Sequence, residues 1–202
     1  MVDSINKFIE LDPKLSKEER NILSAGYKNM ISDKRASWRL LNSMEKKEVK
    51  KKSNQVNYVK EIKNHIEFLI PNAEDHESKV YYLKFKADYY RYLSEISKGK
   101  DLEDSNNKAE DYYKQAYEIS EKELPVINCT RGGLCLNMAV FYYEVKGDKK
   151  RGCEIAKKSF EESMKYLDDL EKFKSKDTLL LIQLLKEKLI VWSSEMNEEE
   201  QN

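Results

Sequence analysis

Residues that break regular secondary structure are scarce in this sequence, which has six glycines and three prolines among 202 residues. Because glycine and proline are the two residues that most disfavour a helix interior, their scarcity favours long, uninterrupted helices. Charged residues are abundant at 37% of the chain, which is typical of helices whose outer faces are solvated. No segment shows the strict alternation of apolar and polar residues that indicates a half-buried strand.

The sequence is also poor in metal-binding and redox residues. It has three cysteines, Cys129, Cys135 and Cys153, in an odd number and without a Cys-x-x-Cys pair. The two histidines, His65 and His76, have no second histidine or cysteine at ligand spacing. We therefore expect reduced thiols in a cytoplasmic protein, with no metal and no cofactor.

Signals for a membrane, a nucleic acid or an enzyme are lacking as well. No apolar run is long enough to cross a bilayer, and the first residues lack a signal-peptide core. Lys plus Arg and Asp plus Glu both total 37, so the chain has no bulk attraction for nucleic acid or an anionic membrane. Neither a Gly-x-x-x-x-Gly-Lys phosphate loop nor a Gly-x-Ser-x-Gly elbow occurs. We expect no catalytic residues.

Apolar residues recur with a helical period almost throughout the chain. The predicted helices cover residues 1–11, 17–47, 54–69, 77–97, 102–123, 130–146, 149–170 and 177–196. Ser16 and Glu19 have the spacing of a capping box at the start of the second of these. The fold class is therefore all-α, an antiparallel stack of about eight helices. We expect one domain over residues 1–196 and an acidic disordered tail over 197–202.

Two sets of basic residues have a spacing that brings side chains to one helix face. Lys28 and Arg35 are seven residues apart, which is nearly two helical turns. Lys84, Asp88, Arg91 and Glu95 follow a 4-3-4 spacing, and Tyr92 adds a hydroxyl. Together they suit a phosphate dianion, since arginine binds oxyanions in a bidentate way. The alternative is that these spacings arise by chance in a charge-rich chain and only support helices.

Several motifs, in order and over almost the whole chain, resemble those of the 14-3-3 protein family. They lie at residues 19–24, 27–29, 35–39, 69–73, 77–80, 88–93, 136–144 and 183–192, and DYYRYL at 88–93 is similar to the best-known of them. The resemblance implies a 14-3-3-like stack with a concave groove. It also implies a phosphoserine/phosphothreonine-peptide-binding adaptor that regulates client proteins by binding, without catalysis. The alternative is a divergent helical scaffold that binds partners independently of phosphorylation.

The resemblance also implies roles for individual residues. Those that match the phosphate pocket are Lys28, Arg35, Arg91 and Tyr92. Those that match the peptide groove are Lys84, Leu136, Asn137, Val140, Glu144, Leu181, Leu184, Lys188, Val191 and Trp192. Among these, Asn137 matches an amide that bonds the peptide backbone, and Glu144 matches an acid that orients the basic residues. For the leucine, valine and tryptophan positions, simple core packing is the alternative.

The sequence departs from the family at several places. Its start matches the beginning of the family's second helix, and the stretch from Trp38 to Leu69 is shorter by about four helical turns. Lys188 stands where the family has an asparagine that binds peptide backbone; we expect a weaker backbone clamp, or a contact of Lys188 with a client carboxylate. Gly132 replaces an apolar residue, which predicts a looser groove wall.

In the family, the first helix forms the dimer interface together with the parts of the third and fourth helices that are shortened in this sequence. We therefore expect weak or non-standard homodimers or heterodimers. Light scattering over a dilution series should show the mass falling toward that of one chain. A tight dimer at low concentration would contradict this expectation.

Overall fold

The computed structural model describes residues 14–43, 66–168 and 176–200, together with Lys7 and Ile9. Within these ranges all regular structure is helical, as the sequence predicts. The charged junction at 48–53, most of the predicted helices over 1–11 and 54–69, and the end of that over 149–170 lie outside the described residues. The predictions for these segments therefore cannot be compared with the structure.

The described helices follow the apolar periodicity closely. They are α1 (Lys17–Ser43), α2 (His76–Ile96), α3 (Lys100–Glu123), α4 (Cys129–Val140), a π-helix (Phe141–Val145), α5 (Lys149–Met164) and α6 (Lys176–Glu200); residues 66–69 are also helical. Two differences from the predictions stand out. The helix predicted over 130–146 changes to a π-helix at Phe141, and the segment 197–200, predicted as disordered tail, continues α6. None of the described helices combines the length and apolarity that crossing a membrane requires.

The chain divides into two compact units, Met1–Tyr112 and Tyr113–Asn202. The boundary falls inside α3, so this helix contributes residues to both. Each unit has its own group of packed side chains. The single domain over residues 1–196 remains a prediction.

A capping box begins α1, as the spacing of Ser16 and Glu19 predicts. The backbone N–H of Ser16 donates to Oε2 of Glu19 at 2.7 Å, and the N–H of Glu19 donates to Oγ of Ser16 at 3.3 Å. These reciprocal bonds satisfy two backbone donors that the first helical turn leaves free. They place the start of α1 at Lys17.

In the first unit, α1 and α2 run parallel. Near their starts, the buried guanidinium of Arg20 donates to the hydroxyl of Ser78, and the Tyr81 hydroxyl donates to the backbone oxygen of Arg20 at 3.1 Å. Two turns later the rings of Tyr27 and Phe85 stack at 6.4 Å between centroids. Since these contacts advance in the same direction along both helices, the basic residues that follow Tyr27 on α1 lie beside the second half of α2.

In the second unit, α4 and α5 are antiparallel neighbours, as short connections predict. Arg131, at the start of α4, lies 3.3 Å from the Glu162 carboxylate near the end of α5. At the other end of the pair, Gly152 packs against the backbone of Ala139 and Tyr143. Because such connections are short, each helix packs on the one before it.

Helix α6 runs parallel to α4 in the second unit. Leu181 lies against Gly132, and further along both helices Lys188 bonds Glu144 at 2.7 Å. Since α6 is parallel to α4, it is antiparallel to α5. In this arrangement the middle of α6 lies against the π-helix.

The π-helix depends on a close approach to α5. Its hydrogen bond from Lys146 N–H to the oxygen of Phe141, at 3.0 Å, spans five residues. A Cβ atom added to Gly152 would lie 2.8 Å from the Cβ of Tyr143 and 2.9 Å from the backbone oxygen of Ala139. Both neighbours are fixed by the helical backbone. Only glycine fits at position 152.

We expect Gly152→Ala to lower the free energy of unfolding by about 1–3 kcal/mol because it overpacks this contact. In an open helix the same change is stabilising by about 1 kcal/mol. Gly132→Ala is the matched control, because the nearest atom there is the flexible Leu181 Cδ1 at 3.3 Å. Urea unfolding of both variants measures the difference; equal stability would contradict the close-packing explanation.

Candidate functional site

A buried carboxylate organises the basic residues of α2. Asp88 is 1% exposed and accepts a hydrogen bond from Nζ of Lys84 at 2.9 Å. The guanidinium of Arg91 lies 3.9 Å from its other oxygen. Lys84 precedes Asp88 by four residues and Arg91 follows it by three, so all three share one face of the helix. Because a buried carboxylate is costly unless it is paired, Asp88 holds both cations in position.

Helix α1 adds a third cation to this face. Lys28 lies near enough to Lys84 and Asp88 for their charges to act on it. Partial burial of its amino group, followed by the positive charge of Lys84, lowers the pKa of Lys28, while the charge of Asp88 opposes the shift. We call Lys28, Lys84, Asp88 and Arg91 the Asp88 cluster. Three cations and one carboxylate leave it with two positive charges, which disfavours further cations and attracts an anion.

Tyr92 restricts the position of Arg91 from a second side. The guanidinium carbon of Arg91 lies 4.7 Å from the centroid of the Tyr92 ring, within the range of a cation–π interaction. The Tyr92 ring is buried and packs edge-to-face on Tyr89 at 5.5 Å. Arg35 lies on α1, seven residues after Lys28, and its side chain is outside the part of the chain that the structure describes.

An apolar surface lies on α6 in the second unit. Leu180, Leu184 and Val191 are exposed, by 55%, 37% and 51%. Their spacing of four and seven residues places them on one side of the helix. We call these three residues the α6 stripe. Leu180 is missing from the groove residues that the sequence predicts, although its helical spacing from Leu184 would have identified it.

The other apolar residues predicted for the groove pack inward. Trp192 is 2% exposed and stacks on Tyr143, with ring centroids 4.2 Å apart and planes at 9°. Leu136 and Val140 are half-buried and pack against the same cluster. For Trp192 the burial favours the alternative of core packing, since it leaves little surface for a ligand.

Two further predicted groove residues lie on or beside α4. Leu181 is half-buried, and its Cδ1 atom would lie 3.3 Å from a Cβ at Gly132. Leu181 therefore packs on the helix backbone at Gly132. It fills part of the space that the resemblance assigns to an apolar side chain of the groove wall at this position. Asn137 is half-buried on α4, one turn before the π-helix.

Lys188 and Glu144 form an ion pair with each other. The Lys188 amino group donates to Oε1 of Glu144 at 2.7 Å. This contact is absent from the sequence predictions, which give Lys188 a client carboxylate or backbone as its partner. The resemblance assigns Glu144 the role of orienting the basic residues, and this role stays a prediction; within the first unit Asp88 pairs with Lys84 and Arg91. Lys188 and Glu144 lie on different helices, so no spacing within one helix signals this pairing.

A second charged cluster in the second unit is satisfied internally. Buried Arg131 donates to the Leu124 oxygen at 2.9 Å and to Glu121 at 2.6 Å. Lys158 donates to the same carboxylate at 2.8 Å, and this bond, with a second to Tyr117, raises the pKa of Lys158. These contacts hold α3, α4 and α5 together. Across the described ranges no group of three His, Cys, Asp or Glu side chains has the arrangement of a metal site.

Comparison with known proteins gives a consistent result. Residues 1–68 and 66–193 match the family model of the 14-3-3 protein. The 14-3-3-like protein B of Vicia faba is 41% identical over 217 residues, which cover 98% of this chain and 83% of that protein. The 14-3-3 protein beta/alpha-A of Xenopus laevis is 39% identical over 215 residues, with coverages of 99% and 88%. The checkpoint signal transducer rad24 of Schizosaccharomyces pombe is 41% identical over 212 residues, with coverages of 96% and 78%. The chain therefore belongs to the 14-3-3 family.

Proposed function

We propose that this protein is an adaptor that binds phosphoserine or phosphothreonine peptides and regulates its clients by binding, with no bond made or broken. The observation that carries the proposal is the Asp88 cluster, in which one buried carboxylate holds Lys84 and Arg91 on one helix face beside Lys28. Its two excess positive charges match a phosphate, which carries about −1.5 to −2 charges at neutral pH.

The cluster suits a dianion better than a single negative charge. A hydrogen bond to a charged group contributes about 1.5–3 kcal/mol, and two such bonds change affinity by about a hundredfold or more. The unmodified hydroxyl of a serine is neutral and offers one oxygen, so it accepts fewer hydrogen bonds from Lys28 and Arg91 and lacks the attraction between opposite charges. A preference for the phosphorylated peptide follows from this difference.

In the second unit, the α6 stripe is the surface we assign to apolar client residues. Its three side chains are exposed, and burying each contributes about 1.5–3 kcal/mol at most. Asn137 is the residue we assign to the client backbone. A relative named as a checkpoint signal transducer fits an adaptor in signalling. Free thiols at all three cysteines fit the reducing cytoplasm.

A helical scaffold that binds partners without reading phosphate is the second candidate. The α6 stripe supports it, since an apolar surface binds partners in either state of phosphorylation. Treatment of captured clients with phosphatase separates the two functions. Release of the clients supports the adaptor, and retention supports the scaffold.

We expect the native protein to bind a phosphoserine peptide about a hundredfold more tightly than its unmodified twin, as measured by fluorescence polarisation. Arg91→Ala should remove most of this difference, because it deletes a charge-assisted donor. Lys79→Ala is the matched control: Lys79 is an exposed cation on the same helix and stands outside the cluster. Equal affinity of the native protein for both peptides would reject the proposal.

Phosphopeptide affinity should also fall as the pH rises toward the ordinary lysine pKa of 10.5. The lowered pKa of Lys28 means that its charge is lost below the usual lysine value of 10.5, and only the charged form attracts the phosphate. Lys28→Arg should flatten the profile, because arginine keeps its charge. Titration calorimetry at several pH values measures this; identical profiles for both proteins would show that Lys28 does not contact the phosphate.

A further inference from the structure

We propose that the Lys188–Glu144 ion pair makes the α6 stripe take uncharged rather than basic residues of a client. The inference rests on the proposed function and names the class of client that the same surface takes. It concerns the second unit alone, where the pair and the stripe both lie.

The pair stands within the apolar surface and is open to a ligand. Lys188 follows Leu184 by four residues and precedes Val191 by three, so it lies on the same side of α6 as the stripe. The side chains of Lys188 and Glu144 are 39% and 48% exposed. A client residue that packs on Leu184 or Val191 therefore meets this pair.

The backbone of Glu144 is held in place by the helix to which it belongs. It belongs to the π-helix, which is closed by the bond from Lys146 to Phe141 at 3.0 Å. The preceding residue, Tyr143, is fixed by its stack on Trp192. Lys188 reaches Glu144 with a long side chain that also lies over the Trp192 ring, 5.5 Å from its centroid. Lys188 therefore neutralises the Glu144 carboxylate.

The pair neutralises the charge of Glu144, while Glu187, an exposed residue on the same side of α6, accepts a hydrogen bond from Gln183 at 2.9 Å. Glu144 alone would attract an arginine or lysine of the client, but while Lys188 is bound a basic residue must displace an ammonium already at 2.7 Å. Breaking an exposed ion pair of this kind lowers the affinity for a client with a basic residue by up to about fivefold. An uncharged residue leaves the pair intact and gains the contact with Leu184 and Val191. The ammonium of Lys188 thus competes with a basic client residue for Glu144, and this competition provides the specificity.

A phosphopeptide series tests the inference. One arginine is placed in turn at each position around a phosphoserine in an otherwise uncharged peptide, and each affinity is measured by fluorescence polarisation. For the native protein, we expect Glu144→Gln to change the affinity for an arginine at any position by no more than about twofold, because Lys188 already pairs with this carboxylate. For Lys188→Asn, arginine at one position should improve it by about fivefold, and adding Glu144→Gln should remove the gain.

Lys186→Asn is the matched control. Lys186 is an exposed lysine of α6, two residues from Lys188 and so on a different face. It should give the native profile, whereas a gain equal to that of Lys188→Asn would show that net charge alone is responsible.

Three results would overturn the inference. A native preference for arginine at one position that Glu144→Gln abolishes would mean that Glu144 already reads basic clients. An unchanged profile for Lys188→Asn would mean that the pair selects nothing. Each of these two results leaves the proposed function in place if the phosphorylated peptides bind better than their unmodified twins. Failure of that comparison in the native protein would overturn both.

Discussion

The buried carboxylate of Asp88 is the constraint on which the first unit depends. A carboxylate removed from water must be paired, and its position on α2 allows Lys84 and Arg91 to reach it from the same face. The parallel packing of α1, set by the contacts of Arg20 with Ser78, then brings a further cation beside them. Like charges are thereby held together at a helix surface, and a bound dianion relieves their repulsion.

The second unit builds a different kind of surface by dividing α6 into two faces. Trp192 anchors the inner face by stacking on Tyr143, and the π-helix that carries Tyr143 fits against α5 because position 152 is glycine. The outer face keeps its leucines and valine exposed. Lys188, between the two, is bonded to Glu144. This surface is apolar and its lysine is paired with a carboxylate, whereas the Asp88 cluster has an excess of positive charge.

Local features of this fold were predictable from the sequence, and long-range ones were not. The helical periods and the Ser16 cap depend on residues a few positions apart, so the helices and the start of α1 follow from the sequence. A π-helix has no strong residue signature, and it was missed. The pairing of Lys188 depends on how α6 lies beside α4, which spacing within one helix does not report. Trp192 shows the same limit, because only packing distinguishes a buried indole from one in a groove.

The most direct test of the central claim is the titration of the bound phosphate itself, followed by phosphorus NMR. A phosphoserine free in solution loses its second proton at a pKa of about 6. In contact with the excess charge of the Asp88 cluster, its dianion is favoured, so the pKa of the bound phosphate should fall well below that value, and Arg91→Ala should raise it again. A bound peptide whose phosphate titrates as it does in free solution would contradict the account.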